Sequence, residues 1–432
     1  MAQKWTLKGR IVVDHVLPEL AEAFGAREGL PGVTVKVSAR SKIPFGWGWW
    51  RSWGKVVTDR DGNFKVTKNR GGDRRQFKIK VLFDSDRLRL KQGQETKLRL
   101  DTNGFPLDVD LTDLDWFEIH NDDKVGATNG RKAGVIDLGS VPVIGDTPKK
   151  LADMWSLYNR VMDLMASYGP EYAFTRRVVG KYPMGLGKNN PNSSSYNNPA
   201  TRSLYIKEDQ FHARILLEEL CHQWDFDRST GEDAMAWQLL KHGTTHQLRE
   251  NTTYVAFREA FADWFGHVVM REITGGKILN FENSVVWKYP FLPLTRAYVG
   301  AALGETERVI ANVDYTARGW HSLFNILTHP ALDKCDFNRP LTENDPEYCF
   351  VSLFTTEACP EVRTGYDLKQ VLSIWLKHPA KGIDSFMGNK DLDFRRFLAR
   401  AGAILPGFEV ENIRTVKQCL NPNTTKNPCL AA

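Results

Sequence analysis

From residue 3 to residue 145 the apolar positions fall in short runs that alternate with polar ones. "WTLKGRIVV", "GVTVKVSA", "GKVVT", "NFKVT", "QFKIKVLF", "TKLRLD" and "WFEIH" are β-branched or period-two segments, separated by turn formers such as "DRDGN" and "RGGD". Seven or eight such strands without a helical period predict an antiparallel β-sandwich over residues 1–145. After "GDTPKK" the period changes. Thr147 and Pro148 give an N-cap and first-turn signal, and "LADMWSLYNRVMDLMASYG" places its apolar residues at helical spacing. A strand in "AFTRRVVGKY", a polar loop over "PMGLGKNNPNSSSYNNPAT" and a strand in "RSLYIKE" lead to a helix expected from about Asp209 to Phe226. Helical patterns dominate from there on. The expected fold class is α+β and multidomain: an N-terminal antiparallel sandwich, then an α-rich domain with a small sheet over residues 146–432.

Composition fits this reading and narrows it little. At 432 residues, 42% hydrophobic and 25% charged, the chain is long enough for two or three globular cores. No apolar run has the length of a membrane span, and "MAQKWTLKGR" has no apolar h-region, so no secretory signal is expected there. The net charge of +6 is concentrated in residues 1–145, with 25 basic against 19 acidic side chains. Within that stretch residues 51–99 hold 15 bases and 6 acids, and residues 101–123 answer with eight acids and no base. Blocks of this kind are read as solvated faces or domain contacts ahead of a nucleic-acid surface.

Two features of the sandwich stretch could carry function. Asp59 and Asp61 lack the spaced carboxylates and closing Glu of a calcium loop, so a hairpin turn is expected. "PFGWGWWRSWGK" concentrates Trp47, Trp49, Trp50 and Trp53 between two strands. Exposed, these rings would stack on a glycan or a protein partner; packed, they would join the module to the next domain. The order "LPGVTVKV … GKVVTDRDGNFKV" resembles the transthyretin-like or carboxypeptidase-regulatory-like β-sandwich modules, which implies a fold and no activity.

Cysteine usage is uneven. Cys221 lies inside the expected helix, and Cys335, Cys349, Cys359, Cys419 and Cys429 lie in the last hundred residues. That clustering favours an oxidising, secreted or extracellular destination, with Cys419–Cys429 the leading pair because it closes a short loop rich in Asn and Pro.

The chemistry is concentrated in "ARILLEELCHQWDF", residues 213–226. At about 100° per residue, Glu218 and His222 lie one turn apart on one helix face, with Glu219 beside them. Metal-assisted hydrolysis needs such an arrangement: two ligands at i and i+4, and a carboxylate to take a proton from water. "AFREAFADWFG" offers a third ligand in Glu259, with Asp263 one turn later. The plain alternative is a solvated Glu-Glu-x-x-His face. His212 is nearly three turns from His222, and His242 and His246 flank Gly243 in an expected loop, so none of these belongs to the set.

Here the chain resembles the gluzincin clan of zincin metallopeptidases, which pair His-Glu-x-x-His with a downstream helix bearing Glu-x-x-Ala-Asp. The resemblance implies Glu219 as general base, His222 and Glu259 as ligands of Zn2+, and Asp263 behind the ligand. It also implies a peptide or protein substrate, bound along a nearby edge strand in "RSLYIKE". Tyr315 and His321 are candidates for polarising the scissile carbonyl. The departure is Glu218, which stands where the clan has its first His. A carboxylate is a legitimate zinc ligand, but Glu218, His222 and Glu259 together cancel the ion's charge, acidify water less, and favour Mn2+ or Fe2+ more. The leading expectation is a zinc-dependent, peptidase-like hydrolase with weakened activity. The alternative is a catalytically silent zincin that acts as a binding module or secreted effector. A di-iron carboxylate protein lacks its second Glu-x-x-His, and no Gly-x-Ser-x-Gly elbow supports a serine hydrolase.

Overall fold

The computed structural model describes residues 5–43, 46–47, 49, 51–68, 75–92, 95–100, 106–109, 117–119, 134–186, 195–198, 202–228, 261–262, 265–266, 268–278, 367–376 and 403–405. It is an α+β protein with mixed sheets and a few helices. Strands and helices are numbered in chain order.

One sheet is centred on β1 (Trp5–Asp14). β6 (Asn63–Lys68) and β2 (Arg27–Gly29) pair with it antiparallel, and β12 (Gly134–Pro142) pairs parallel. A second sheet is centred on β3 (Thr34–Ile43). Its partners are β4 (Gly46–Trp47), β5 (Arg51–Val57) and β7 (Arg75–Leu82), with β11 (Phe117–Ile119) beyond β7. Alternation sets the inner faces. Val35, Val37 and Ala39 on β3, and Phe64 and Val66 on β6, are buried while Lys36, Asn63 and Lys65 point to solvent.

The expected hairpin at "TDRDGN" does not join paired neighbours. β5 belongs to the β3 sheet and β6 to the β1 sheet, so the turn carries the chain from one sheet to the other. Asp59 Oδ1 accepts the N–H groups of Asp61 at 3.0 Å and Asn63 at 2.8 Å, which accounts for its carboxylate as a turn former. Gly62, at φ +82°, closes the turn where a Cβ would meet the Ile11 carbonyl at 2.5 Å. The strands then face each other closely enough that a Cβ on Gly54 would lie 2.4 Å from Val66.

Two departures from the expected all-antiparallel, helix-free stretch are clear. β12 runs parallel to β1, and α1 (Pro18–Phe24) interrupts the strands. α1 has Pro at its first turn, Glu19 beside it and Gly25 past its end, an arrangement suited to a short helix.

α2 (Asp146–Tyr168) starts one residue before its expected cap, within the usual play of helix ends. Leu151, Met154, Trp155 and Tyr158 are fully buried on it. Trp155 Nε1 donates to the Pro31 carbonyl at 2.8 Å, and its ring lies 5.8 Å from Phe83.

Beyond α2 the chain returns to strands. β13 (Val178–Lys181) pairs parallel with both β8 (Leu88–Lys91) and β16 (Ser203–Tyr205), and β15 (Tyr196–Asn198) completes that sheet in the order β15-β16-β13-β8. β14 (Gly185–Leu186) adds to β9 (Glu95–Leu100), which also pairs with β10 (Pro106–Val109). The polar stretch expected to be one loop thus contributes β14 and β15. A 3-10 turn (Glu208–Gln210) precedes α3 (Ala213–Arg228), and α4 (Leu368–Leu376) lies far along the chain.

The change from strand to helix at 143–145 is not where the chain divides by compactness. Its two units are residues 1–163 with 176–216, and residues 164–175 with 217–432. The reason is pairing: β13 and β14 add to β8 and β9 of the N-terminal stretch. No helix among the described residues is long and apolar enough to cross a membrane.

Candidate functional site

α3 is shorter at its start than expected. The Gln210 side chain accepts the Ser195 N–H at 2.5 Å, residues 208–210 form the 3-10 turn, and the first α-helical bond runs from Leu216 N to the His212 carbonyl at 3.0 Å. From Ala213 the helix is regular through the motif.

Its two faces are both covered. Leu216, Leu217, Leu220, Cys221 and Trp224 are fully buried, as their apolar chemistry requires. Glu219 and His222 are also buried, each 7% exposed, together with Gln223 and Asp225, and Glu218 is half-buried. At about 100° per residue Glu218, His222 and Asp225 form one stripe, with Glu219 at its side. A solvated Glu-Glu-x-x-His face is therefore the wrong description. Long acidic side chains and imidazoles are taken out of water only where other polar groups or ions compensate them. Asp225 was not singled out from the sequence, although its position seven residues after Glu218 puts it on the same stripe. Cys221 is a fully buried thiol on this apolar face.

The far end of α3 is held by hydrogen bonds and rings. Trp224 Nε1 donates to the Tyr172 carbonyl at 2.6 Å, and Arg228 Nε donates to the Ala173 carbonyl at 2.8 Å. Tyr172 meets Tyr168 edge-on at 5.9 Å, and Lys369 of α4 lies over its ring. Burial raises the Tyr168 phenol's pKa, with Glu272 and Asp367 adding to the effect. The Trp224 ring lies 6.2 Å from Phe261 and 6.3 Å from Phe265. These phenylalanines belong to the helical residues at 261–262, 265–266 and 268–273, ended by Gly275 and Gly276 in the left-handed region.

The stretch expected to supply the third ligand is thus packed against the motif helix. His222 lies roughly 160° round α3 from Trp224, so this contact is made on the side of α3 away from His222. Glu259, Asp263, Tyr315 and His321 lie outside the described residues, as do His242, His246 and the five C-terminal cysteines. Among the described residues, no group of three or more His, Cys, Asp or Glu side chains is placed to hold a metal ion.

The strand before the motif helix is present but is not an edge. β16 is paired on both sides, with β13 and β15, so its backbone is not free for a substrate strand. The edges of that sheet among the described residues are β15 and β8. In the tryptophan-rich segment, Trp53 is buried at 3% exposure and Trp49 is 89% exposed. Of these two rings one is packed and the other exposed, and the Trp47 and Trp50 side chains lie outside the described residues.

No family model matches the chain, and no curated protein matches it. Among solved structures it is similar to a 9R-lipoxygenase from Cyanothece PCC8801, at 12% identity and a TM-score of 0.17. That likeness covers 38% of this chain and 24% of the other, and carries no argument about fold or function.

Proposed function

We propose that the chain is a metal-dependent, peptidase-like hydrolase of the gluzincin type, built as a transthyretin-like β-sandwich followed by a zincin-like domain. The observation that carries this reading is the burial of Glu219 and His222 on one face of α3.

The donor set fits a divalent cation in type and number. Glu218, His222 and Glu259 would hold it, and two carboxylates with one imidazole leave the assembly neutral. Bound there, Zn2+ would supply Lewis acidity toward water and the scissile carbonyl. The chain's own part is proton handling and orientation. The Glu219 carboxylate accepts a proton from the attacking water and returns it to the leaving amine. Asp263 orients the Glu259 helix face, and Tyr315 or His321 donates to the carbonyl oxygen. With Glu218 in place of an imidazole, water is acidified less, so turnover is slow.

Metal content of the purified protein, measured after dialysis against Zn2+ and against Mn2+, tests the assignment. One equivalent is expected, retained in Glu219→Gln with hydrolysis of a quenched peptide library abolished. Zinc affinity should rise in Glu218→His. A protein that takes up neither metal, even as Glu218→His, overturns the proposal.

A silent zincin is favoured by one observation, the exposed Trp49 ring on the N-terminal module. Metal bound without any hydrolysis, together with glycan or protein binding lost in Trp49→Ala, would select that reading.

A further inference from the structure

A buried ionic cluster lies apart from the motif helix, where the segment between β1 and β2 meets α2. His15 is at its centre, with a side chain that is 0% exposed. Its Nδ1 is 2.6 Å from Asp153 Oδ1, and its Nε2 is 3.1 Å from Glu28 Oε2. Asp153 Oδ2 accepts the N–H groups of Val16 at 2.8 Å and Leu17 at 2.7 Å, which stand at the start of α1. Glu28 also accepts Ser156 Oγ at 3.1 Å and the Arg160 guanidinium, whose carbon lies 3.5 Å from the centre of the Phe24 ring. Three side chains of α2, Asp153, Ser156 and Arg160, thereby hold both ends of the 15–28 segment.

Both imidazole nitrogens face carboxylate oxygens. A neutral ring has one N–H and one lone pair, so it satisfies one carboxylate and sets its lone pair against the other. Only the imidazolium donates to both. The count of charge agrees: His15 and Arg160 against Asp153 and Glu28 make a neutral set, and removing the His15 proton leaves an uncompensated buried charge. Burial alone would hold a histidine neutral. The hydrogen bonds to Asp153 and Glu28 outweigh it and push the His15 pKa up to about 9. Burial likewise opposes the Glu28 charge, and the bonds from His15 and the Arg160 charge hold its pKa below the usual range. The other charges near the ring are Asp14, paired with Arg27 at 2.5 Å, and Lys149 close to Asp14.

We propose that His15 is a proton latch: as an imidazolium it clamps residues 15–28 onto α2, and loss of its proton releases that segment, the start of β2 at Arg27 and Glu28 included, while β1, β3 and the other strands stay folded. A raised pKa contributes stability that is complete below about pH 6.5 and is lost as pH rises through about 9. The device therefore opens on alkalinisation.

Hydrogen exchange of the full chain, followed by mass spectrometry from pH 6 to pH 10 and divided by the intrinsic exchange rate, reads the opening directly. Protection of peptides from 15–28 should fall at least tenfold across that range, while peptides from 34–43 on β3 keep theirs. In His15→Gln, which carries no charge, the segment should be open already at pH 6 and show no further fall. If that variant does not fold, 13C-labelled imidazole NMR of the wild-type chain still decides, since His15 should stay protonated at pH 8. A neutral His15 at pH 7 overturns the latch, and so does protection of 15–28 that is level across the range. A fall that persists unchanged in His15→Gln also overturns it.

Discussion

Trp224→Phe tests whether the motif helix is held by one residue two positions past His222. Trp224 is fully buried, donates its indole N–H to the Tyr172 carbonyl at 2.6 Å, and packs on Phe261 and Phe265. Phenylalanine keeps the ring contacts and removes the donor. The Tyr172 carbonyl is then left without that partner in a dry setting, which costs about 1–3 kcal/mol. The indole exceeds a phenyl ring by roughly 40 Å3, and at about 24 cal/mol per Å3 an unfilled space of that size adds about 1 kcal/mol. The expected loss is about 2–4 kcal/mol, large against a typical domain stability of about 5–15 kcal/mol. Urea unfolding followed by far-UV circular dichroism measures it, with exchange of peptides from 164–175 reporting whether the Tyr172 segment loosens first. Arg228 holds the same segment through Ala173 and Pro170, so the loosening should be partial. A midpoint unchanged within about 0.5 kcal/mol would show that the hydrogen bond and the close packing at Trp224 do not hold the helix.

Two glycines should separate backbone strain from crowding. Gly62→Ala forces a side chain into the left-handed region against the Ile11 carbonyl and the Leu30 N–H, and should cost about 1–3 kcal/mol in a urea melt. Gly180→Ala meets only the far ends of Met154 and Leu90, which can shift, so about 1 kcal/mol or less is expected; equal losses would refute the distinction. Cys221 is buried among apolar side chains, so maleimide should leave it unmodified in the folded chain and label it fully in urea, as peptide mass mapping would show. The same mapping without reductant should find Cys419 joined to Cys429, and five free thiols at the C-terminal end would remove the case for an oxidising destination.

The elements that could be read directly are those whose period is strong. β1, β3, β6 and β7 alternate, and α2 and α3 repeat at helical spacing, so local pattern alone places β1, β6, β7 and α2 within a residue or two and finds β3 and α3 with one end about four residues off. α1 is seven residues long, too short for a period to stand out, although its Pro18 and Gly25 mark both ends. β2, β12 and β15 carry no such pattern, so pairing makes them strands, whereas β8 alternates with Leu88 and Leu90 buried but over only four residues. Partner choice is non-local. That is why β12 runs parallel to β1, why the Asp59 turn joins two sheets rather than one hairpin, and why β16 is interior where a free edge was expected.

For the site, the sequence by itself determined which groups share a helix face: Glu218, Glu219 and His222 lie together on α3 because a helix turns about 100° per residue. Only the tertiary structure decided that this face is out of water, that Asp225 extends it, and that Trp224 docks on Phe261 and Phe265. It alone revealed the ring of charges around His15, whose members come from positions 15, 28, 153 and 160. Spacing along a chain encodes neighbours within a few turns of one helix. Burial, and the charge pairs that burial makes necessary, depend on which distant segments pack together.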